Sequence, residues 1–351
     1  MKNRVYLTLS DGSVWPGRGH IEAPVEGEVV FTTASCGYPQ TLTDPSYNGQ
    51  IVIFAFPPIG IYGVDKGNLE GRRVWVRAAL MTGLDETEEG RFESLTSWMA
   101  ENGRPLISDI DTRQLILKIR ECGSMMGRID LEPHVPGLEE LPDTLVSEVS
   151  CREMETYGGG ELTVALMDYG VKENIIRGMV RRGCRVIRFP HNTRASEVLA
   201  SGADGILLSN GPGDPSVLDF EAGEIAAMLP CGRPLLGVCL GNQLLARSCG
   251  AKTKKLPFGH RGANQPVLEC STGRGILTSQ NHQYAVDGDT LAGTDLEVAY
   301  SHLGDGTVEG LRHKRFDALS VQFHPEASPG PEDASYIFDN FITRMRAAKG
   351  R

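Results

Sequence analysis

Leu235-Leu236-Gly237-Val238-Cys239-Leu240-Gly241-Asn242-Gln243-Leu244-Leu245 decides how this chain is read. The first four residues read as a short apolar strand, Gly-x-Cys-x-Gly as a sharp turn, and the residues after it as a helix. A glycine on each side of Cys239 leaves room where strand and helix close on one another. A cysteine lifted at such a turn stands at a helix N-terminus, where unpaired backbone N–H groups and the helix dipole favour the thiolate. Taken alone, the same residues also fit a small thiol buried as an ordinary hydrophobe.

Two stretches elsewhere bear on that choice. Ala318-Leu319-Ser320-Val321-Gln322-Phe323 reads as a buried strand that runs into His324-Pro325-Glu326. Pro325 ends strand pairing, and residues two apart in extended chain point to the same side. Glu326 is therefore placed to orient His324, and His324 to take a proton from Cys239, as an activated thiol requires. In isolation His-Pro-Glu is a polar loop after a strand; beside an elbow cysteine it reads as a base and its orienter. Asp204-Gly205-Ile206-Leu207-Leu208-Ser209 is a further strand, followed by Asn210-Gly211-Pro212-Gly213-Asp214-Pro215. That loop is either an ordinary Gly/Pro turn or a backbone cradle aimed at a developing oxyanion. It lacks the Gly-Lys-Ser/Thr ending of a phosphate-binding loop.

Around these motifs the chain alternates strands and helices. Strands are expected at 162–167, 185–189 and 205–209, and helices at 173–182, 196–201 and 220–229. Short strands follow at 266–268 and 275–278, and a closing helix at 334–347. The rhythm implies an α/β fold with a parallel sheet, covered on both faces, and a site at the strand C-termini, where Gly211, Cys239 and His324 all fall. Residues 1–150 read instead as a separate strand-rich domain. A hairpin turns at Asp11-Gly12, strands are expected at 29–31, 51–54 and 73–76, and helices at 92–102 and 111–122. In the second helix Asp111 and Gly123 are the expected caps, and Leu115, Ile116 and Ile119 form a core stripe. Residues 151–161 are expected as a linker before a parallel-sheet domain at 162–351.

The 351 residues are 40% hydrophobic and 23% charged, with a net charge of −10. That composition fits globular domains with sizeable cores, and the negative charge argues against a nucleic-acid partner. The eight cysteines show no Cys-x-x-Cys pair and no zinc spacing, so reduced thiols and a cytoplasmic location are expected, with no metal site. No apolar run reaches the roughly 20 residues of a membrane span. His260 and His282 are expected to serve turns or hydrogen bonds.

In this order, the motifs resemble the class I (triad) glutamine amidotransferases, and within them the carbamoyl-phosphate synthase small-subunit family. The resemblance is carried by Ser209–Pro215, Cys239–Leu245, Phe258-Gly259-His260, Gln280-Asn281-His282 and His324-Pro325-Glu326-Ala327-Ser328-Pro329-Gly330-Pro331. Gly27-Glu28-Val29-Val30-Phe31, Gly37-Tyr38, Leu42-Thr43-Asp44-Pro45-Ser46-Tyr47 and Ile110-Asp111-Thr112-Arg113 extend it over nearly the whole chain.

The resemblance implies that the chain hydrolyses L-glutamine and passes ammonia to a separate large subunit, which uses ATP, Mg and bicarbonate to make carbamoyl phosphate. No cofactor is expected in this chain, and a heterodimer or an oligomer of heterodimers is implied. Cys239 would be the nucleophile, His324 the general base and acid, and Glu326 its orienter. The backbone at Leu240 and Gly213 would hold the oxyanion. Ser46, Gly211, Gly213, Leu240, Gln243, Asn281, Gln283 and Tyr284 fall at glutamine-binding positions, and Ser46 would put the pocket at a domain interface. The chain departs from the family at Gln283 (often Gly), Tyr284 (Phe), Asn242 (His) and Ala263 (Gly). Asn242 is expected to point down the helix with a mild effect. Two other readings stand beside this one: the glutaminase of a different amidotransferase pathway, and a catalytically silent scaffold that regulates a large subunit.

Overall fold

Short runs rich in buried apolar residues make the central strands of a first sheet, and near-continuous apolar runs make the parallel strands of a second. The computed structural model describes residues 3–57, 59–86 and 92–350, and the chain divides between Leu145 and Val146 into two units.

The first unit opens with the hairpin that the sequence indicates. β1 (Asn3–Leu9) and β2 (Val14–Gly19) pair antiparallel, and Gly12 turns between them with φ +85°. There follow β3 (Val25–Thr32), α1 (Tyr38–Thr43), β4 (Gln50–Phe54), β5 (Ala78–Leu80), α2 (Leu95–Glu101), β6 (Leu106–Ile107), α3 (Thr112–Cys122) and β7 (Met125–Asp130). The seven strands lie in the order β2-β1-β7-β3-β4-β5-β6. Val30, Val52, Phe54 and Ala79 pack beneath Tyr38, Leu42, Leu95 and Trp98. Asp111 caps α3, its carboxylate accepting from the Gln114 N–H at 3.0 Å, and Gly123 ends it. Leu115 and Ile119 are buried, while Ile116 is half-buried.

One expected strand is absent. Residues 73–76 run irregularly; the Trp75 N–H donates to Leu42 O and the Arg77 N–H to Gln50 O, and the strand begins only at Ala78. The apolar spacing predicts a strand there, but Val74 and Val76 bury themselves in the core without joining a ladder.

In the second unit a mixed sheet carries the strand–helix alternation. α4 (Leu145–Val149) stands at the division. Then come β8 (Glu155–Tyr157), β9 (Leu162–Asp168), α5 (Glu173–Arg181), β10 (Cys184–Pro190), α6 (Ala195–Ala200), β11 (Gly205–Leu208), α7 (Asp219–Met228), β12 (Leu235–Val238) and α8 (Leu240–Ser248). β13 (Thr253–Glu269), β14 (Arg274–Val286), β15 (Leu296–His302), β16 (Val308–His313), β17 (Ala318–Val321) and α9 (Tyr336–Lys349) complete it. The order is β14-β13-β15-β16-β17-β12-β11-β9-β10-β8. The middle of the sheet, from β17 to β10, is parallel. Successive side chains along β9 go to opposite faces. Val164 and Leu166 pack with α5 and α9, and Ala165 and Met167 with α6, α7 and α8.

Three features depart from the sequence expectations. Residues 151–161 are not free chain, because β8 pairs antiparallel with β10. The two short strands expected near 266 and 275 are one long hairpin, β13–β14. β15 and β16 were not anticipated, and the sheet curls until Val286 of β14 meets Val308 of β16. Among the described residues no helix is long and apolar enough to cross a membrane.

Candidate active site

β12 runs buried between β11 and β17 and ends at Cys239. Cys239 takes φ 54° and ψ −103°, a conformation that costs an L residue on the order of 1–3 kcal/mol. Both flanking glycines are required by space. A Cβ on Gly237 would lie 2.7 Å from Gly241 O, and one on Gly241 would lie 2.4 Å from Leu208 O. The Cys239 N–H donates to Val321 O at 2.8 Å and the Gly241 N–H to Ser209 O at 3.0 Å. These bonds fasten the turn to the strands on either side. The Leu240 N–H opens α8, where no carbonyl within the helix can accept it. The thiol is buried, with Gln322 Nε2 3.6 Å and Asn281 O 3.7 Å from Sγ.

Beyond β17 the chain carries His324 into the same space. Its N–H donates to Ser279 O at 2.8 Å, and Nδ1 lies 2.6 Å from Glu326 Oε1. Lys172 Nζ lies 3.0 Å from the same carboxylate oxygen and donates to Ala327 O at 2.6 Å. All three side chains are buried. Burial works against a charged His324, but the Glu326 carboxylate and the Cys239 thiol outweigh it and hold its pKa above the ordinary imidazole range. Burial likewise opposes an ionised Glu326, and Lys172 and His324 together keep that carboxyl below its ordinary value. Nε2 of His324 makes no hydrogen bond of normal geometry. The arrangement is a thiol, an imidazole that favours its charged form and an ionised carboxylate behind it.

The loop after β11 packs against this turn. A Cβ on Gly211 would fall 2.2 Å from Tyr169 O and 2.8 Å from Leu240 Cδ2, so glycine lets the loop lie directly on the start of α8. Gly213 follows with φ +89°. Gln243 Nε2 donates to Tyr284 O at 2.7 Å. The structure thus gathers Gly211, Leu240, Gln243, Asn281 and Tyr284 with Cys239. Ser46 belongs to the first unit, in the single turn Pro45–Tyr47, where Asp44 accepts its N–H at 2.9 Å.

Comparison with known proteins agrees with these two halves. Residues 165–344 match the class-I glutamine amidotransferase model, and residues 7–129 the carbamoyl-phosphate synthase small chain, CPSase domain. The chain is 43% identical to the carbamoyl phosphate synthase small chain of Staphylococcus haemolyticus, over 99% of this chain and 98% of that one. This chain belongs to the carbamoyl-phosphate synthase small-chain family. It is also 45% identical to the pyrimidine-specific small chain of Halalkalibacterium halodurans, over 98% of both. A third relative, the small chain of Bacillus anthracis, is 45% identical over 98% of this chain and 96% of its own.

Set against the small-chain pattern, two departures have clear places. Gln283 spans the β13–β14 hairpin, donating to Leu256 O at 2.5 Å and accepting from Arg261 Nη2 at 2.9 Å. Asn242 does not simply run down the helix. It donates to Gln322 Oε1 at 3.1 Å and accepts from Ser320 Oγ at 2.8 Å, bracing α8 against the β17 segment. Gln322 also accepts from Gln243 Nε2 at 3.1 Å, so it joins the helix, the strand and the thiol.

Lys172 and Gln322 were not singled out from sequence. Gln322 had a signal: a polar residue in an apolar strand, two before His324 and therefore on its side. Lys172 sits in the turn between β9 and α5, and nothing local marks it as the partner of a carboxylate so far along the chain.

Proposed function

We propose that this small chain hydrolyses L-glutamine through a cysteinyl thioester and supplies the ammonia to a large subunit. The observation that carries the reading is Cys239 on its strained turn, next to a buried His324–Glu326 pair. His324, oriented by Glu326, takes the thiol proton and leaves Sγ nucleophilic. Sγ attacks the side-chain amide carbon of glutamine, and the carbonyl oxygen takes the negative charge. The N–H groups of Leu240 and Gly213 would receive it; loss of one such donor costs about 10²–10³ in rate. His324 then gives its proton to the amide nitrogen, the C–N bond breaks and ammonia leaves. A water that loses its proton to His324 attacks the thioester carbonyl, Sγ departs as thiolate, and glutamate is released.

Gln243, with backbone groups of Gly211, Gly213, Leu240, Asn281, Gln283 and Tyr284, and with Ser46, would bind the glutamine. For Gln283 the backbone is the better candidate, since its side chain is engaged across the hairpin. ATP, Mg and bicarbonate would be handled by the large subunit, with this chain as one half of a heterodimer or of a larger assembly of heterodimers. In the assembled enzyme, Cys239→Ala abolishes glutamine-dependent carbamoyl phosphate formation and leaves the ammonia-dependent reaction intact. Glutaminase turnover surviving in that variant would overturn the reading.

A further inference from the structure

Away from Cys239, four side-chain atoms able to ligate a metal ion, two imidazole nitrogens and two oxygens, converge inside the β13–β14–β16 corner. His282 Nδ1 faces only the carbonyl of Tyr284, at 2.8 Å, so Nδ1 carries the proton and Nε2 presents a lone pair. His260 Nε2 faces the Asp305 carboxylate at 2.9 Å, and with a proton placed there Nδ1 presents a lone pair. Both lone pairs point at Gln280 Oε1, each at 3.0 Å. In this orientation the Gln280 amide donates through Nε2 to Glu309 Oε2 at 2.9 Å and to Thr278 Oγ1 at 3.2 Å. Glu309 is wholly buried, and its Oε1 has no hydrogen-bond partner. That oxygen lies 3.5 Å from His260 Nδ1 and 3.9 Å from His282 Nε2.

We infer that this corner is a closed binding site for one divalent transition-metal ion of zinc type, held by His260 Nδ1, His282 Nε2, Glu309 Oε1 and Gln280 Oε1. Tetrahedral zinc with bonds of about 2.0–2.1 Å sets its ligand atoms about 3.3–3.4 Å apart, within the spread seen here. The outer contacts also match metal-binding histidines, which give their second N–H to a carboxylate or a backbone carbonyl. Here those are Asp305 and Tyr284. Asp305 is half-exposed, which gives an ion a way in. Four protein ligands leave no open position, so the ion would be structural. It would stiffen β14, the strand whose Asn281 carbonyl faces Cys239. Local spacing could not announce the site, since its ligands come from three strands.

The test uses the full chain with Cys239→Ala, so that this thiol does not compete for metal. After chelation and dialysis, one equivalent of zinc binds per chain and raises Tm. Cobalt gives tetrahedral d–d bands without sulfur charge-transfer absorption. Glu309→Gln and Asp305→Asn each weaken zinc at least about tenfold, and His134→Ala does not. Octahedral cobalt, sulfur charge transfer, no stoichiometric zinc, or a folded Glu309→Gln that binds as tightly as its parent would each overturn the site. If Glu309→Gln does not fold, the cobalt spectrum of the parent decides.

Discussion

Cys239 is held in a backbone conformation that side chains avoid, and this gives a measurable signature. Glycine at that position would lose the strain, though it would make the unfolded chain more flexible. Cys239→Gly should therefore be more stable than Cys239→Ala by about 1 kcal/mol, out of the roughly 1–3 kcal/mol of strain available. Paired denaturant melts check it. A second prediction concerns proton placement. Glu326 raises the pKa of His324, so Glu326→Gln lets that pKa fall toward the range set by burial and Lys172. The alkaline limb of the glutaminase pH profile, where the imidazolium deprotonates, should move to lower pH, and turnover should drop about 10²–10⁴-fold. A profile with an unmoved limb would argue against the pairing. Cys239, His324 and Glu326 were legible because short motifs place them. Lys172 and Gln322 were not, because their partners are brought to them only by the parallel packing of β9, β12 and β17.

Among the elements, the β12–α8 join is the least forgiving. A methyl at Gly241 meets a main-chain oxygen of β11, which cannot swing aside as a side chain can. Gly241→Ala should destabilise by at least about 1–3 kcal/mol and lose glutaminase activity out of proportion, because any relief moves the helix start that holds Cys239. Comparing Tm with kcat separates the two effects. The strands of the parallel core were readable from their unbroken apolar runs, and α3 from its caps. Only the near ends of the β13–β14 hairpin were readable, since Gln280, Asn281, His282 and Gln283 interrupt the apolar pattern where the strand is most buried. Polar residues that pair with one another inside the protein look, in sequence, like loop. The run Arg73–Val76 failed in the opposite sense, being apolar enough for a strand yet bonded to the chain only at isolated points.

Over the whole molecule, acid should be the destabilising direction. The Lys118 ammonium beside Asp11, 2.6 Å away, holds that carboxyl down to about 2. Arg128 holds Asp130 low, and the Ala195 N–H does the same for Glu224. A carboxyl depressed by folding contributes stability above its unfolded value and loses it as pH falls through the folded one. Denaturant midpoints should hold steady down to roughly pH 4.5 and fall between there and about pH 2. Midpoints that stay constant to pH 2 would contradict the assignment. The division into two sheet-centred halves was visible in the change from strand-rich to alternating sequence; that residues 151–161 supply an edge strand was not, since three residues are too few to show a period.

Three of the four sheet ends, β2, β6 and β8, offer little open strand. β6 has two residues, β8 has three and β2 carries Pro16, while the far side of the larger sheet bends round so that β14 touches β16. At those three ends another copy of the chain finds few open peptide groups to zip onto, whereas β14, thirteen residues long, meets β16 only at Val286. While the protein stays folded, any strand-to-strand pairing between copies should run through β14.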